Sequence, residues 1–145
     1  MTVVVAAMLA GCAQAAVVDP APYAADPDCA RVMLAMPAVV GGLDVRGTTS
    51  QATAAYGDEF PLVVRCGVEP PGPTTAQCVS FDADGGALDW VVLEEDGQWR
   101  ATSFGRSPAV EVLIPSERAD DAVGDVLASF AGPAALAPSN GLACK

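Results

Sequence analysis

The chain has 145 residues, with eighteen acidic side chains against seven basic ones, no histidine and a formal net charge of −11. That length suits one domain. The charge disfavours nucleic acid and rules out a polybasic membrane patch, and the missing imidazole excludes His-dependent triads and His-ligated zinc.

The first element is an apolar run from Val3 to Leu9, followed by Ala10, Gly11 and Cys12. It is far shorter than the roughly 20 residues needed to cross a bilayer. A short apolar core, small residues and a cysteine form the pattern of a bacterial lipoprotein signal. Residues 1–11 are therefore expected to be a signal, and Cys12 to become the first residue of the mature protein and carry lipid. Firm anchoring takes more than one acyl chain, which a lipidated cysteine supplies. The expected location is extracytoplasmic, on the outer face of the cytoplasmic membrane. Neither Met1 nor Thr2 provides the usual basic start, so a start site placed too far downstream is expected. The competing reading makes Val3–Ala7 a buried strand and Cys12 a core cysteine.

Residues 12–27 are rich in small residues and contain three prolines, Pro20, Pro22 and Pro27. They read as a flexible tether, with a first strand at Val17-Val18 as the alternative. A helix begins at Asp26-Pro27-Asp28: Asp26 caps, Pro27 suits the first helical position, and Asp28 meets the positive end of the dipole. Cys29, Val32, Met33 and Met36 share one face at helical spacing, and Pro37 and Gly41-Gly42 stop the helix.

Residues 43–58 are mixed and polar. Strands follow at Pro61–Cys66, Ala76–Phe81, Leu88–Leu93, Gln98–Phe104 and Ala109–Ile114, separated by turn residues. Asp96-Gly97 is a hairpin turn, since both residues tolerate positive φ. Leu88, Trp90 and Val92 lie on one face. Val110, Val112 and Ile114 point inward, with Glu111 outward. Trp90 and Trp99 are expected as a cross-strand pair on the buried face, with an exposed aromatic platform around Trp90 as the lesser alternative. A last helix starts near Ser116 and buries Ala119, Val123, Val126, Leu127 and Phe130. Asp120, Asp121 and Asp125 face outward, and Gly132-Pro133 ends the helix. The expected fold is α+β, a two-layer sandwich in a single domain, residues 28–145. Its mostly antiparallel five-stranded sheet carries both helices on one face.

With Cys12 assigned to lipid, Cys29, Cys66, Cys78 and Cys144 remain, and an exported chain makes two disulfides of them. Three pairings are open. The expected one joins Cys66 to Cys78 across neighbouring strands and Cys29 to Cys144. Closely spaced CxxC pairs are missing, so a zinc site is not expected.

Chemistry is hard to find. Neither GxGxxG nor GxxxxGK[ST] occurs. Asp82 and Asp84 resemble the start of a calcium loop, but Gly86 and Leu93 stand where ligands are required. Glu111 is the best single carboxylate for acid–base chemistry of the glycosidase kind. Arg46, Arg65 and Arg106 are more telling, because guanidinium forks pair bidentately with carboxylate or phosphate. One reading is that Arg65 or Arg106 pairs with Glu111, Asp89 or Glu69 and locks loops over the sheet. The other is an arginine-lined site or interface for an anionic envelope component.

The stretches Tyr56-Gly57, Arg65-Cys66-Gly67-Val68 with Pro70, and Leu88-Asp89-Trp90 carry a resemblance. So do Phe104-Gly105-Arg106-Ser107-Pro108-Ala109-Val110-Glu111-Val112 with Pro115, and Cys144. Over roughly residues 28–144 the chain resembles the DUF3515 domain family of small actinobacterial exported proteins. The resemblance implies export and membrane association and supplies no activity, substrate or catalytic residue. Phe104 departs from the pattern, which favours Tyr, and so lacks a hydroxyl for proton transfer. The resulting expectation is a non-catalytic extracytoplasmic lipoprotein without cofactor or nucleic acid, held to the membrane through Cys12 and bound to another envelope protein. A small anionic-ligand module using Arg65 and Arg106 is the alternative, and a carboxylate-dependent enzyme ranks behind it.

Overall fold

The computed structural model describes residues 13–84, 86–119 and 123–145. The signal and lipidation expectations at residues 1–12, and Asp120 and Asp121, lie outside them. The elements in chain order are α1 (Pro27–Leu34), β1 (Val39–Val40), β2 (Leu43–Arg46), β3 (Thr53–Tyr56), β4 (Leu62–Val68), β5 (Gln77–Ala83), β6 (Gly86–Glu95), β7 (Gln98–Phe104), β8 (Ala109–Pro115), a 3-10 turn (Ser116–Arg118) and α2 (Val123–Ala135). The class is α+β, and the sheet has eight strands in the order β1-β2-β3-β4-β8-β7-β6-β5.

The three strands beyond the expected five, β1 to β3, come from residues 39–56. Local pattern hides them: β3 is Thr-Ala-Ala-Tyr, and alanine is a weak strand former. Tertiary burial holds it there. Tyr56 is fully buried, its ring lies 5.4 Å from that of Phe130, and its hydroxyl donates to the Pro37 carbonyl at 2.9 Å. The Asp96-Gly97 turn forms as its residues dictate, both at positive φ, and pairs Glu95 with Gln98.

Both helices lie on one face of the sheet. Asp26 caps α1 by accepting from the Asp28 N–H at 2.9 Å, and Cys29 and Val32 turn inward. In α2, Val126, Leu127, Phe130, Ala131 and Ala134 are buried. The helix runs through Pro133 to Ala135 instead of stopping at Gly132-Pro133. A proline in the last turn removes one hydrogen-bond donor near an end where the ladder closes anyway. Trp90 is fully buried in the core, and its indole N–H meets no acceptor among the described residues. The expected Trp90–Trp99 pair does not form. Register places Trp90 opposite Ser103 and Trp99 opposite Glu94, so the two share a face without meeting directly.

The sheet order also corrects the disulfides. The bonds are Cys29–Cys66 and Cys78–Cys144, not Cys66–Cys78 and Cys29–Cys144. Strands β4 and β5 are consecutive in sequence but four steps apart in the sheet, about 19 Å at the usual strand spacing. A disulfide needs Cα atoms within about 7 Å. Cys66 also faces the helices, where it meets Cys29, whereas Cys78 pairs in register with Val91 on the other face.

Residues 13–26 are not a loose tether. Ala16 forms a bridge with Thr48, the Val18 N–H donates to Thr49 Oγ1, and the Tyr23 N–H donates to the Gly67 carbonyl at 2.8 Å. Ala21 is buried with Val68 and Ala109 in a small second core. Pro20 and Pro22 stiffen a segment that the sheet can therefore dock at reduced entropic cost.

Candidate functional site

The sheet face turned away from the helices brings together two of the residues singled out by sequence, Arg65 and Glu111. Strand register sets Arg65 of β4 beside Glu111 of β8, and Glu111 beside Thr102 of β7. Glu111 is only 3% exposed although it carries a charge. Both of its oxygens are occupied: Oε1 accepts from Arg65 Nε at 2.8 Å and lies 2.6 Å from Arg65 Nη2, and Oε2 accepts from Arg100 Nη1 at 2.9 Å. Arg100 Nε sits 3.2 Å from Glu95 Oε2, close enough to pair as ions without aligning as a hydrogen bond. The result is an alternating chain Arg65–Glu111–Arg100–Glu95 across β4, β8, β7 and β6, two charges of each sign. A buried carboxylate persists only when paired and hydrogen-bonded in this way.

Two terminal segments frame this centre. On one side the Asp19 carbonyl lies 3.5 Å from Arg65 Nη1. On the other, the C-terminal tail is held by Asp89, which accepts from the Cys144 N–H at 2.6 Å and from the Ser80 hydroxyl. Two glycines of the family-like blocks permit both crossings. At Gly67, with φ +99°, a Cβ would sit 2.4 Å from the Tyr23 backbone. At Gly105, with φ +77°, it would sit 2.0 Å from the Leu142 carbonyl.

The other arginines are engaged elsewhere. Arg106 Nη1 donates to the carbonyls of Ala135 and Ala137 at 3.0 and 3.1 Å, satisfying the C-terminal end of α2. Arg46 donates to the Gly57 carbonyl at 3.2 Å and the Gln14 carbonyl at 2.9 Å, and lies 3.3 Å from Asp58. It ties the N-terminal segment to the β3–β4 turn. Arg118 donates to the Glu59 and Phe60 carbonyls, and Arg31 pairs with Asp28. Arg65 and Arg106 share no partner, so the structure does not bring them together into one anion site. Trp90 lies on the helix side of the sheet, the face opposite Arg65 and Glu111.

Sequence reasoning found the Arg65–Glu111 pair but missed Arg100 and Glu95, and Asp89, expected as an arginine partner, instead holds the Cys144 N–H and the Ser80 hydroxyl. Alternation from the Asp96-Gly97 turn carries the signal, since Gln98, Arg100 and Thr102 share the parity that faces Glu111. Burial pushes the Tyr56 hydroxyl up to about 12, and the exposed Tyr23 hydroxyl is raised by its hydrogen bond to Glu69.

A cavity of about 500 Å³ lies against the tail and is lined by Thr74, Ala76, Cys78, Phe104, Leu142 and Cys144. A second, of about 250 Å³, has Asp89 and Arg106 in its wall. Among the described residues no group of three or more cysteine or acidic side chains is placed to hold a metal ion, and no helix is long and apolar enough to cross a membrane.

A family model described as protein of unknown function (DUF3515) matches residues 1–135. No curated protein and no solved structure matches the chain.

Proposed function

Because the chain belongs to the DUF3515 family, whose description names no activity, we propose a function from its own residues: a lipid-anchored, extracytoplasmic, non-catalytic domain that docks another envelope protein. The observation that carries this reading is the cysteine inventory. Every cysteine among the described residues is in a disulfide. Persistent disulfides belong to oxidising compartments outside the cytoplasm, and the fifth cysteine, Cys12, ends a lipoprotein-like signal pattern. The docked course of residues 13–26 gives the anchor a mechanical consequence. Ala16 bridges Thr48, and four residues of extended chain reach about 14 Å at most. A lipid on Cys12 therefore holds the β2–β3 end of the domain close to the bilayer.

The internal arginine bonds support a docking role over an anion pocket. An anionic ligand at Arg65 would have to displace Glu111, and at Arg106 it would meet a guanidinium whose Nη1 already serves the Ala135 and Ala137 carbonyls.

The test is subcellular fractionation of the host producing the wild-type chain or a Cys12→Ser variant. Lipid anchoring predicts the wild type in the membrane fraction, accessible to protease added outside the cell, and the variant largely released. A variant retained like the wild type, or a wild-type chain protected inside the cytoplasm with free thiols, would overturn the proposal.

A further inference from the structure

The two edges of the sheet are built differently. Strand β1 closes one edge with only two residues, the short form that natural sheets use to avoid adventitious pairing. Strand β5 forms the other edge with seven, and its seven pairs with β6 run without a bulge. Its sequence, Gln-Cys-Val-Ser-Phe-Asp-Ala, contains neither the proline nor the lysine that commonly blunts an edge. Among the described residues β5 pairs with β6 alone, which leaves a full row of backbone donors and acceptors on its outer side.

Three of the cavities border this strand. One, of about 340 Å³, has Val79, Phe81, Val92 and Trp99 in its wall, with Val123 and Leu127 of α2 above them. The 500 Å³ cavity lies on the opposite face beside Cys78. A third, lined by Asp82, Ala83 and Asp84 together with the last turns of α2, lies at the far end of the strand. An added strand presents side chains alternately to the two faces, and β5 offers an apolar recess on one face and a second recess on the other. The acids at its end sit within a chain of net charge −11.

We propose that the free edge of β5 is a docking strand that receives an extended, alternately apolar segment of a partner protein carrying lysine or arginine at its end. Main-chain hydrogen bonds supply affinity and the recesses supply side-chain selectivity, the mode known as strand addition. The partner is basic because Asp82 and Asp84 flank the edge and because two copies of so acidic a chain repel one another. This inference rests on the protein-docking reading above and names the surface that performs it.

The experiment is titration of the isotopically labelled, oxidised full chain with a synthetic peptide, Lys-Val-Thr-Val-Thr-Val-Lys, followed by backbone amide spectra. Strand addition predicts saturable shifts confined to Gln77–Ala83 and its neighbours, with a change in Trp99 emission. The exposed-surface variant Asp82→Lys should bind the same peptide roughly tenfold more weakly. Absence of saturation at millimolar peptide, shifts centred on β1 and β2, or self-association through β5 would each overturn the proposal. Membrane release by Cys12→Ser is read separately, so an anchored chain whose β5 ignores the peptide would lose the docking edge and keep the anchor.

Discussion

Glu111 illustrates how one residue decides the character of a whole sheet face. A carboxylate at 3% exposure is tolerated because two guanidiniums meet its two oxygens, and those guanidiniums in turn depend on it. Removing one partner of a buried pair costs more than the pair contributes, since the remaining charges are stranded. Arg65 and Arg100 retain some solvent contact, which softens that penalty. Glu111→Gln is expected to lower unfolding free energy by about 2–3 kcal/mol, read by denaturant titration of the oxidised protein. A change within experimental error would mean that solvent screens both arginines fully. Tyr56 supplies a pH signature. Its hydroxyl titrates near 12 in the fold and near 10 in the unfolded chain, so the folded state holds the proton more tightly. Its contribution is complete below pH 10 and is lost as the pH rises from 10 towards 12. Comparing melting temperatures of wild type and Tyr56→Phe from pH 8 to 11 should show the wild type falling more steeply above pH 10, and parallel curves would contradict this. Sequence alone exposed Glu111 as an outward residue on an apolar strand, but its second arginine required the strand order.

At the level of elements, the strands with β-branched or alternating residues and the Asp96-Gly97 turn were legible because local chemistry and tertiary packing agree there. β3 was not, because its alanines and single tyrosine adopt strand geometry only under the pressure of burial, and β2, the four residues Leu-Asp-Val-Arg, is held by its pairing with β3 and not by burial of its own. The terminal segments are the sharper case. Small residues and prolines between 13 and 26 resemble a linker in composition, yet they dock because Gly67 leaves room for the Tyr23 backbone. Gly67→Ala forces a Cβ into backbone atoms and imposes a positive φ on an L-residue. The variant should melt several degrees lower, and amide exchange should quicken in residues 16–24 before it does in β7. Unchanged protection of that segment would show that its docking does not depend on Gly67.

At the scale of the whole molecule, the chain leaves the sheet centre after β4, crosses to the far edge, and returns through β5, β6, β7 and β8 to pair with β4 again. That path explains why sequence proximity misled the disulfide expectation: neighbours in the chain lie at opposite ends of the sheet. Cys29–Cys66 then joins α1 to the middle of the sheet, and Cys78–Cys144 pins the tail to the free-edge strand. Each closed loop restricts the unfolded chain, an effect of roughly 2–4 kcal/mol per bridge. A small acidic domain thus gains rigidity from two crosslinks. Anchor, oxidation state and pairing converge on a single observable. The most direct measurement is intact mass and disulfide-linked peptide mapping of the protein extracted from its host's membranes. Lipid anchoring with two disulfides predicts residues 12–145 with a diacylglyceryl-type modification on Cys12, four hydrogens fewer than the reduced chain, and the linked pairs Cys29–Cys66 and Cys78–Cys144. An unmodified chain that keeps residues 1–11, or cysteines recovered as free thiols, would contradict it.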